Sequence, residues 1–247
     1  MIDFITSTIE RVFIESDRWL LWLSGVQATL TITVFALILG VAVGFFVALI
    51  RTVHDASLTP HIIIRILNRL VKIYVSIIRG TPTVIQLMIF NFFILAASRN
   101  GILIASLAFG FNSAAYASEV FRGGILSVEK GQMEAGRSLG LSYPMTMVKI
   151  ILPQAIKNSL PAMGNEFITL FKETSISGMA AIMDVTQVGN IIRGLTFNPA
   201  PLFFVAAFYL IVVLILEFIF KKMENRLRRS DRPVTLVESV KRGGAGR

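Results

Sequence analysis

From Trp19 to Ile50 the chain carries no charged side chain. That run exceeds the roughly twenty apolar residues a helix needs to cross a bilayer. Backbone in hydrocarbon must satisfy its own hydrogen bonds, so such a segment folds as helix. Val26–Ile50 is the first expected span, with Trp19 and Trp22 left at the interface, where an indole keeps one edge wet. Four more follow. The second, residues 72–98, ends an apolar stretch that starts near Leu67 and is interrupted by Arg79-Gly80-Thr81-Pro82. The third and fifth cover 101–121 and 201–220. The fourth, 160–183, is weakened by Asn165, Glu166, Lys172 and Glu173. Only 16% of residues are charged, against roughly 25% in soluble domains. The expectation is an all-α membrane protein: an extracytoplasmic or interfacial segment 1–25, a five-helix transmembrane domain 26–220 and a basic tail 221–247.

Charge sets the orientation. The loop after the first span holds Arg51, Arg65, Arg69 and Lys72, the loop 127–157 and its flank hold five basic residues, and the tail holds nine. The opposite side shows only Arg11, Arg18, Arg99 and Arg193. Eighteen against four places the basic side in the cytoplasm, with the N-terminus outside and the C-terminus inside. The first twenty residues include Asp3, Glu10 and Arg11 and lack a basic start, so the first span itself is expected to direct insertion. The net charge of +9 comes without an aromatic-interleaved basic motif. Topology and anionic lipid account for it, and nucleic acid is not an expected partner.

The chemistry expected is transport rather than catalysis. There is no cysteine, the only histidines are His54 and His61, and no GxxxxGK[ST] phosphate loop occurs, so the chain binds neither a metal nor a nucleotide cofactor by any visible motif. Polar side chains do stand at membrane depth, where they are costly unless they face a bundle interior or a wet cavity. Asn112, Tyr116 and Glu119 share one helical face. Glu166 and Glu173 share another, with Asn165 and Lys172 on the adjacent one. With Gln86 from a neighbouring segment, Gln86, Asn112, Tyr116, Glu119, Asn165 and Glu166 form a candidate substrate pathway for a small zwitterion. The alternative is that Glu119 with Arg122, and Glu173 with Lys172, form ion pairs that tie helices together.

Between the third and fourth spans runs Glu134-Ala135-Gly136-Arg137-Ser138-Leu139-Gly140, followed after nine residues by Ile150-Ile151-Leu152-Pro153. This order resembles the loop by which permeases of bacterial ABC importers engage their ATPase. Arg79-Gly80-Thr81-Pro82 with Gln86, Asn112-Ser113-Ala114-Ala115-Tyr116, Glu119-Val120-Phe121-Arg122-Gly123-Gly124-Ile125, Gly131-Gln132, and Leu160-Pro161-Ala162-Met163-Gly164-Asn165-Glu166-Phe167 extend the likeness. Together they resemble the permeases of polar amino-acid importers, the histidine/glutamine/arginine type, from Val26 to about Phe220.

The resemblance implies the type I importer fold in a bacterial cytoplasmic (inner) membrane. It implies a second permease, identical or homologous, a pair of cytosolic ATPases that use ATP and magnesium, and an extracytoplasmic amino-acid-binding protein. The coupling residues it marks are Glu134, Ala135, Gly136, Gly140, Leu152 and Pro153. Glu134 is expected to open a short helix, where a carboxylate complements the dipole, and Gly140 to turn the chain after it. Gly136 stands where the pattern more often has alanine. A secondary transporter or channel would keep the polar stripes but have no use for this loop. An intramembrane enzyme would need a nucleophile–base pair or metal ligands inside the spans.

Overall fold

The computed structural model describes residues 8–57 and 59–229. Asp3 and the tail beyond Arg229 lie outside the described residues. Among these residues the chain is helical throughout, with no strand. Helix α1, Arg18–Asp55, has 38 residues, about 57 Å at 1.5 Å per residue, enough to cross the hydrocarbon and project beyond it. Ser16 and Asp17 adopt positive φ, at 55° and 54°, and the turn Glu10–Ile14 lies back against the start of α1. There the Trp22 indole N–H donates to the Val12 carbonyl at 3.1 Å, and Phe13 stacks on Trp22. Trp19 is exposed, whereas Trp22, expected with it at the interface, is buried under this hook.

Helix α4, Gly101–Leu126, packs along α1 and forms the centre of the molecule. Small residues allow the approach. A Cβ on Gly44 would sit 2.8 Å from both the Ala114 carbonyl and the Ala117 methyl, and one on Gly40 would meet Ser113 at 3.0 Å. Glycines four apart against a row of alanines let two backbones touch, and close van der Waals packing is what holds helices together where lipid offers no hydrophobic drive. Asn100 caps α4 by accepting from Leu103 N–H at 3.0 Å.

The expected second span is bent. Helix α2, Ile62–Gly80, and helix α3, Thr83–Ile89, which continues as a wide turn through Phe90–Ile94, meet at 111°. Thr81 precedes Pro82 and is extended (φ −122°, ψ 146°), because the proline ring excludes helical geometry at the residue before it.

Beyond α4 come α5, Lys130–Ser138, and α6, Tyr143–Thr146, with a wide turn Met147–Ile151 that leads into α7, Leu152–Glu173. A 3-10 segment, Thr174–Ala180, ends at Ala181 in the left-handed region. Helix α8, Val185–Thr196, has no counterpart in the hydropathy reading. It packs its buried Val185, Val188 and Ile192 against α1 and α9, Ala200–Arg229. Among the described residues, three segments are long and apolar enough to span a membrane: Glu10–Asp55, Gly101–Leu126 and Ala200–Leu227. The bent pair makes a fourth if counted as one span.

Candidate functional site

The loop marked by the sequence folds into a compact knob. Helix α5 begins at Lys130 after Glu129, so Glu134 lies in its middle rather than opening it, and no acidic residue occupies its first turn. The expectation that Glu134 complements the helix N-terminus is therefore wrong. Its side chain stands exposed at the surface, beside exposed Ala135. Gly140 has φ +82°, and two bonds close the helix around it: Gly140 N–H to Arg137 C=O at 3.0 Å and Leu141 N–H to Gly136 C=O at 3.2 Å. This is the paired 5→2 and 6→1 ending that needs a left-handed residue, which glycine supplies without strain.

Gly136 is the one buried residue of α5. A Cβ there would meet Thr146 Cγ2 at 2.5 Å and Ile150 at 3.2 Å. The departure from alanine thus has a local cause: Thr146, fully buried with its hydroxyl donating to Ser142 C=O at 3.0 Å, fills that space. Leu152 is the first residue of α7 and Pro153 the second, and the wide turn Met147–Ile151 runs into them without leaving helical geometry. Glu134, Ala135 and Leu139, the last 82% exposed, face away from the spans. Of the candidate coupling residues, Gly136 alone is buried and Leu152 is half-buried, while Glu134, Ala135, Gly140 and Pro153 are exposed.

The candidate pathway residues fall into three groups. Gln86 and Asn112 are buried and satisfy one another, the Asn112 amide donating to Gln86 Oε1 at 2.9 Å. Gln86 Nε2 also donates to Ile78 C=O (2.8 Å), Thr81 C=O (3.1 Å) and Thr81 Oγ1 (2.8 Å). These oxygens lie where α2 breaks before Pro82, so Gln86 closes the elbow. Glu166 accepts from Ser113 Oγ at 3.2 Å across the α4–α7 contact.

Glu119 forms an ion pair with Arg51 and lies 3.9 Å from Arg79, whose guanidinium stands 5.4 Å over the Tyr116 ring. The expected pairs Glu119–Arg122 and Lys172–Glu173 do not form among the described residues. Arg122 instead meets Asp55 at 3.2 Å, since α1 lies closer to that turn of α4. Asn165 is not gathered with the others: with Thr169 and Lys172 it lies on the exposed side of α7. Sequence could not have found Arg51, because a partner 68 positions away leaves no local signal.

No group of acidic, histidine or cysteine side chains that could hold a metal occurs among the described residues. What the geometry defines is a helical membrane protein with a polar, hydrogen-bonded centre and a protruding polar knob. The chain belongs to the family of binding-protein-dependent transport system inner membrane components, whose model matches residues 63–229. It is 38% identical over 213 residues to the arginine transport system permease protein ArtQ of Bacillus subtilis, covering 85% of this chain and 93% of that one. It is 35% identical over 214 residues to the glutamine transport system permease protein GlnP of Escherichia coli (84% and 93%). It also superposes on the crystal structure of an amino acid ABC transporter with histidines, at TM-score 0.74 and 34% identity, over 83% of this chain and 94% of that one. The MetNI methionine transporter shares the fold alone, with TM-score 0.74 at 21% identity, covering 87% and 99%.

Proposed function

We propose that this permease of the amino-acid ABC transporter kind imports a polar amino acid by alternating access, driven by a separate ATPase seated on the α5–α6 knob. The observation that carries the reading is a single element. Helix α7 starts at Leu152, directly after the knob, and runs 22 residues past Asn165 and Glu166 to Glu173. A helix of about 33 Å that stays continuous through Pro161 carries displacement of one end to the other, so a push on the knob tilts the polar centre. Leu139 gives the knob an apolar surface that a soluble partner would cover, and Glu134 beside it supplies a charge for docking.

A second permease, identical or homologous, is supported by α7. Asn165, Thr169 and Lys172 lie on its exposed side, and lipid does not solvate an ammonium or an amide at that depth. A facing permease with a wet pathway between the two would. An extracytoplasmic binding protein would deliver the substrate, and ATP with magnesium would act on the ATPase pair. The family and the basic asymmetry support a multi-pass chain in the bacterial inner membrane, with five spans, the N-terminus outside and the C-terminus in the cytoplasm. Glu134→Lys, and Gly140→Asp at its left-handed position, should leave membrane insertion intact while weakening ATPase copurification and abolishing uptake. Wild-type uptake by an assembled complex carrying either change would remove the coupling role.

A further inference from the structure

Arg51 of α1, Lys72 and Arg79 of α2, and Glu119 of α4 converge on a cavity of about 310 Å³ that Val75 and Ser76 complete. Three cations face one carboxylate, so the cavity carries an excess of positive charge. Glu119 is engaged by Arg51, yet the Arg51 Nε is buried without a hydrogen-bond partner. Lys72 is exposed and has no ion pair within 4 Å among the described residues. Two guanidinium groups and an ammonium on two elements suit an oxyanion with several acceptor oxygens, as phosphate has.

The surroundings indicate what carries that phosphate. Lys72, Ser76 and Arg79 repeat at i, i+4 and i+7 along α2. Leu70, Ile73 and Ile77 repeat on the neighbouring strip and are 57%, 49% and 56% exposed. A cationic strip beside an apolar one is the pattern of a helix at a membrane surface, charge at headgroup level and aliphatic side chains among acyl chains. The crossing counted for the bent pair is then made by α3 and the residues that follow it to Asn100. The bend of 111° after Gly80 turns α2 away from the direction of α3.

We infer that the Arg51–Lys72–Arg79 cavity is a phosphate site, filled by the headgroup phosphate of an anionic lipid whose acyl chains lie along Leu70, Ile73 and Ile77. The site goes beyond the import reading and requires only that the chain lie in a bilayer. Its role is to fix α2, and through Glu119 the adjoining ends of α1 and α4, to the membrane surface.

The test uses the delipidated permease–ATPase complex in detergent, with melting temperature followed as phosphatidylglycerol, phosphatidylcholine or inorganic phosphate is added. Phosphatidylglycerol should raise the melting temperature saturably. Lys72→Gln and Arg79→Gln should each shift half-saturation at least about tenfold, the size of one lost charge-assisted hydrogen bond. Arg65→Gln, a cation of α2 outside the cavity, should not. Inorganic phosphate acting with the same variant pattern would keep the site and reassign its source to a soluble phosphate. Equal loss in Arg65→Gln, phosphatidylcholine matching phosphatidylglycerol, or unchanged half-saturation in both cavity variants would overturn the inference. The readout is lipid-dependent stability, so loss of ATPase coupling and loss of this site are separately visible.

Discussion

Gly136 shows how one missing methyl records a packing decision. Thr146 Cγ2 stands where an alanine Cβ would go, at 2.5 Å, so Gly136→Ala should cost about 1–3 kcal/mol through overpacking, offset in part by up to about 1 kcal/mol of better helix propensity. Thr146→Ser removes that methyl and keeps the hydroxyl's bond to Ser142 C=O. The two changes should therefore be strongly coupled: Gly136→Ala destabilises the chain that keeps Thr146 and is neutral or stabilising once Thr146→Ser is in place. Thermal melts of the four proteins measure this coupling, and additive effects would sink the account. Asp184 poses a different residue-scale question. It is fully buried, caps α8 by accepting from Gln187 N–H at 2.8 Å, and lies 3.5 Å from the Tyr209 hydroxyl. Burial pushes its carboxyl above the ordinary 3.8, opposed by hydrogen bonds from Gln187 and Thr186. Raised in the fold, this group favours stability most below the unfolded value, and that advantage fades as pH rises through the folded one. Asn at an N-cap keeps the acceptor without the charge. Asp184→Asn should thus gain on wild type in melting temperature as pH rises above the ordinary 3.8, while Asp184→Ala should lose about 1 kcal/mol of cap at every pH in that range. A constant offset between the Asp184→Asn protein and wild type across that range would contradict the burial argument.

Among the elements, the α2–α3 elbow and the exposed side of α7 separate structural polarity from polarity left for another molecule. The two Nε2 hydrogens of Gln86 are shared among Ile78 C=O, Thr81 C=O and Thr81 Oγ1, and its Oε1 accepts from Asn112. Gln86→Leu would orphan those groups at about 1–3 kcal/mol apiece for the ones water cannot reach, so it should lower melting temperature and complex yield. Asn165, on the exposed side of α7, closes no such break. Asn165→Leu should leave stability of the complex unchanged and raise the substrate concentration for half-maximal uptake about ten- to a hundredfold, as loss of a polar contact to a zwitterion does. The reverse outcome, a destabilised Asn165→Leu complex with normal uptake affinity, would make Asn165 an interhelical contact. These elements also show what the sequence reveals. Helical periodicity places Asn112 and Glu119 on one face of α4, and the Gly-Thr-Pro interruption marks the elbow. Which carbonyl Gln86 reaches, and that Glu119 turns to Arg51 and Arg79 instead of Arg122, depend on how α1, α2 and α4 cross. Hydropathy also passes over α8, because a helix of 12 residues with Asn190 and Arg193 is too short and polar to resemble a span. Its signal is the capping residue Asp184 ahead of Val185, Val188 and Ile192.

For the whole molecule, the number of crossings decides whether knob and tail share a compartment. Helices α1, α4 and α9 are long and apolar enough to cross, whereas α7, which carries Asn165, Glu166, Lys172 and Glu173, is not among the segments that meet that criterion. If only those three crossed, the α2–α3 pair would be re-entrant and the knob would lie opposite the loop after α1. If the bent pair crossed and α7 did not, knob and α1 loop would share a side, with the C-terminal end of α9 opposite them. Five crossings put the α1 loop, the knob and the end of α9 together, with Asn100 and the α8–α9 corner facing outward. The basic residues support the last arrangement, the one proposed, since Arg51 to Lys72, Lys130 to Lys157 and the cluster after Lys221 fall on one side only there. It requires α7 to cross with its polar side chains in a bundle or pathway, as the Glu166–Ser113 contact and a facing permease together would allow. Fusions of a cytosol-active reporter after Ser142, in the knob, and after Arg229 should be active. Fusions after Asn100 and after Asn198, at the corner beside the exposed Phe197, should be silent and instead activate a reporter that works only outside. Activity after Asn198 with silence after Arg229 would mean that α7 does not cross, and the lever from knob to polar centre would then lie along the membrane surface instead of through it.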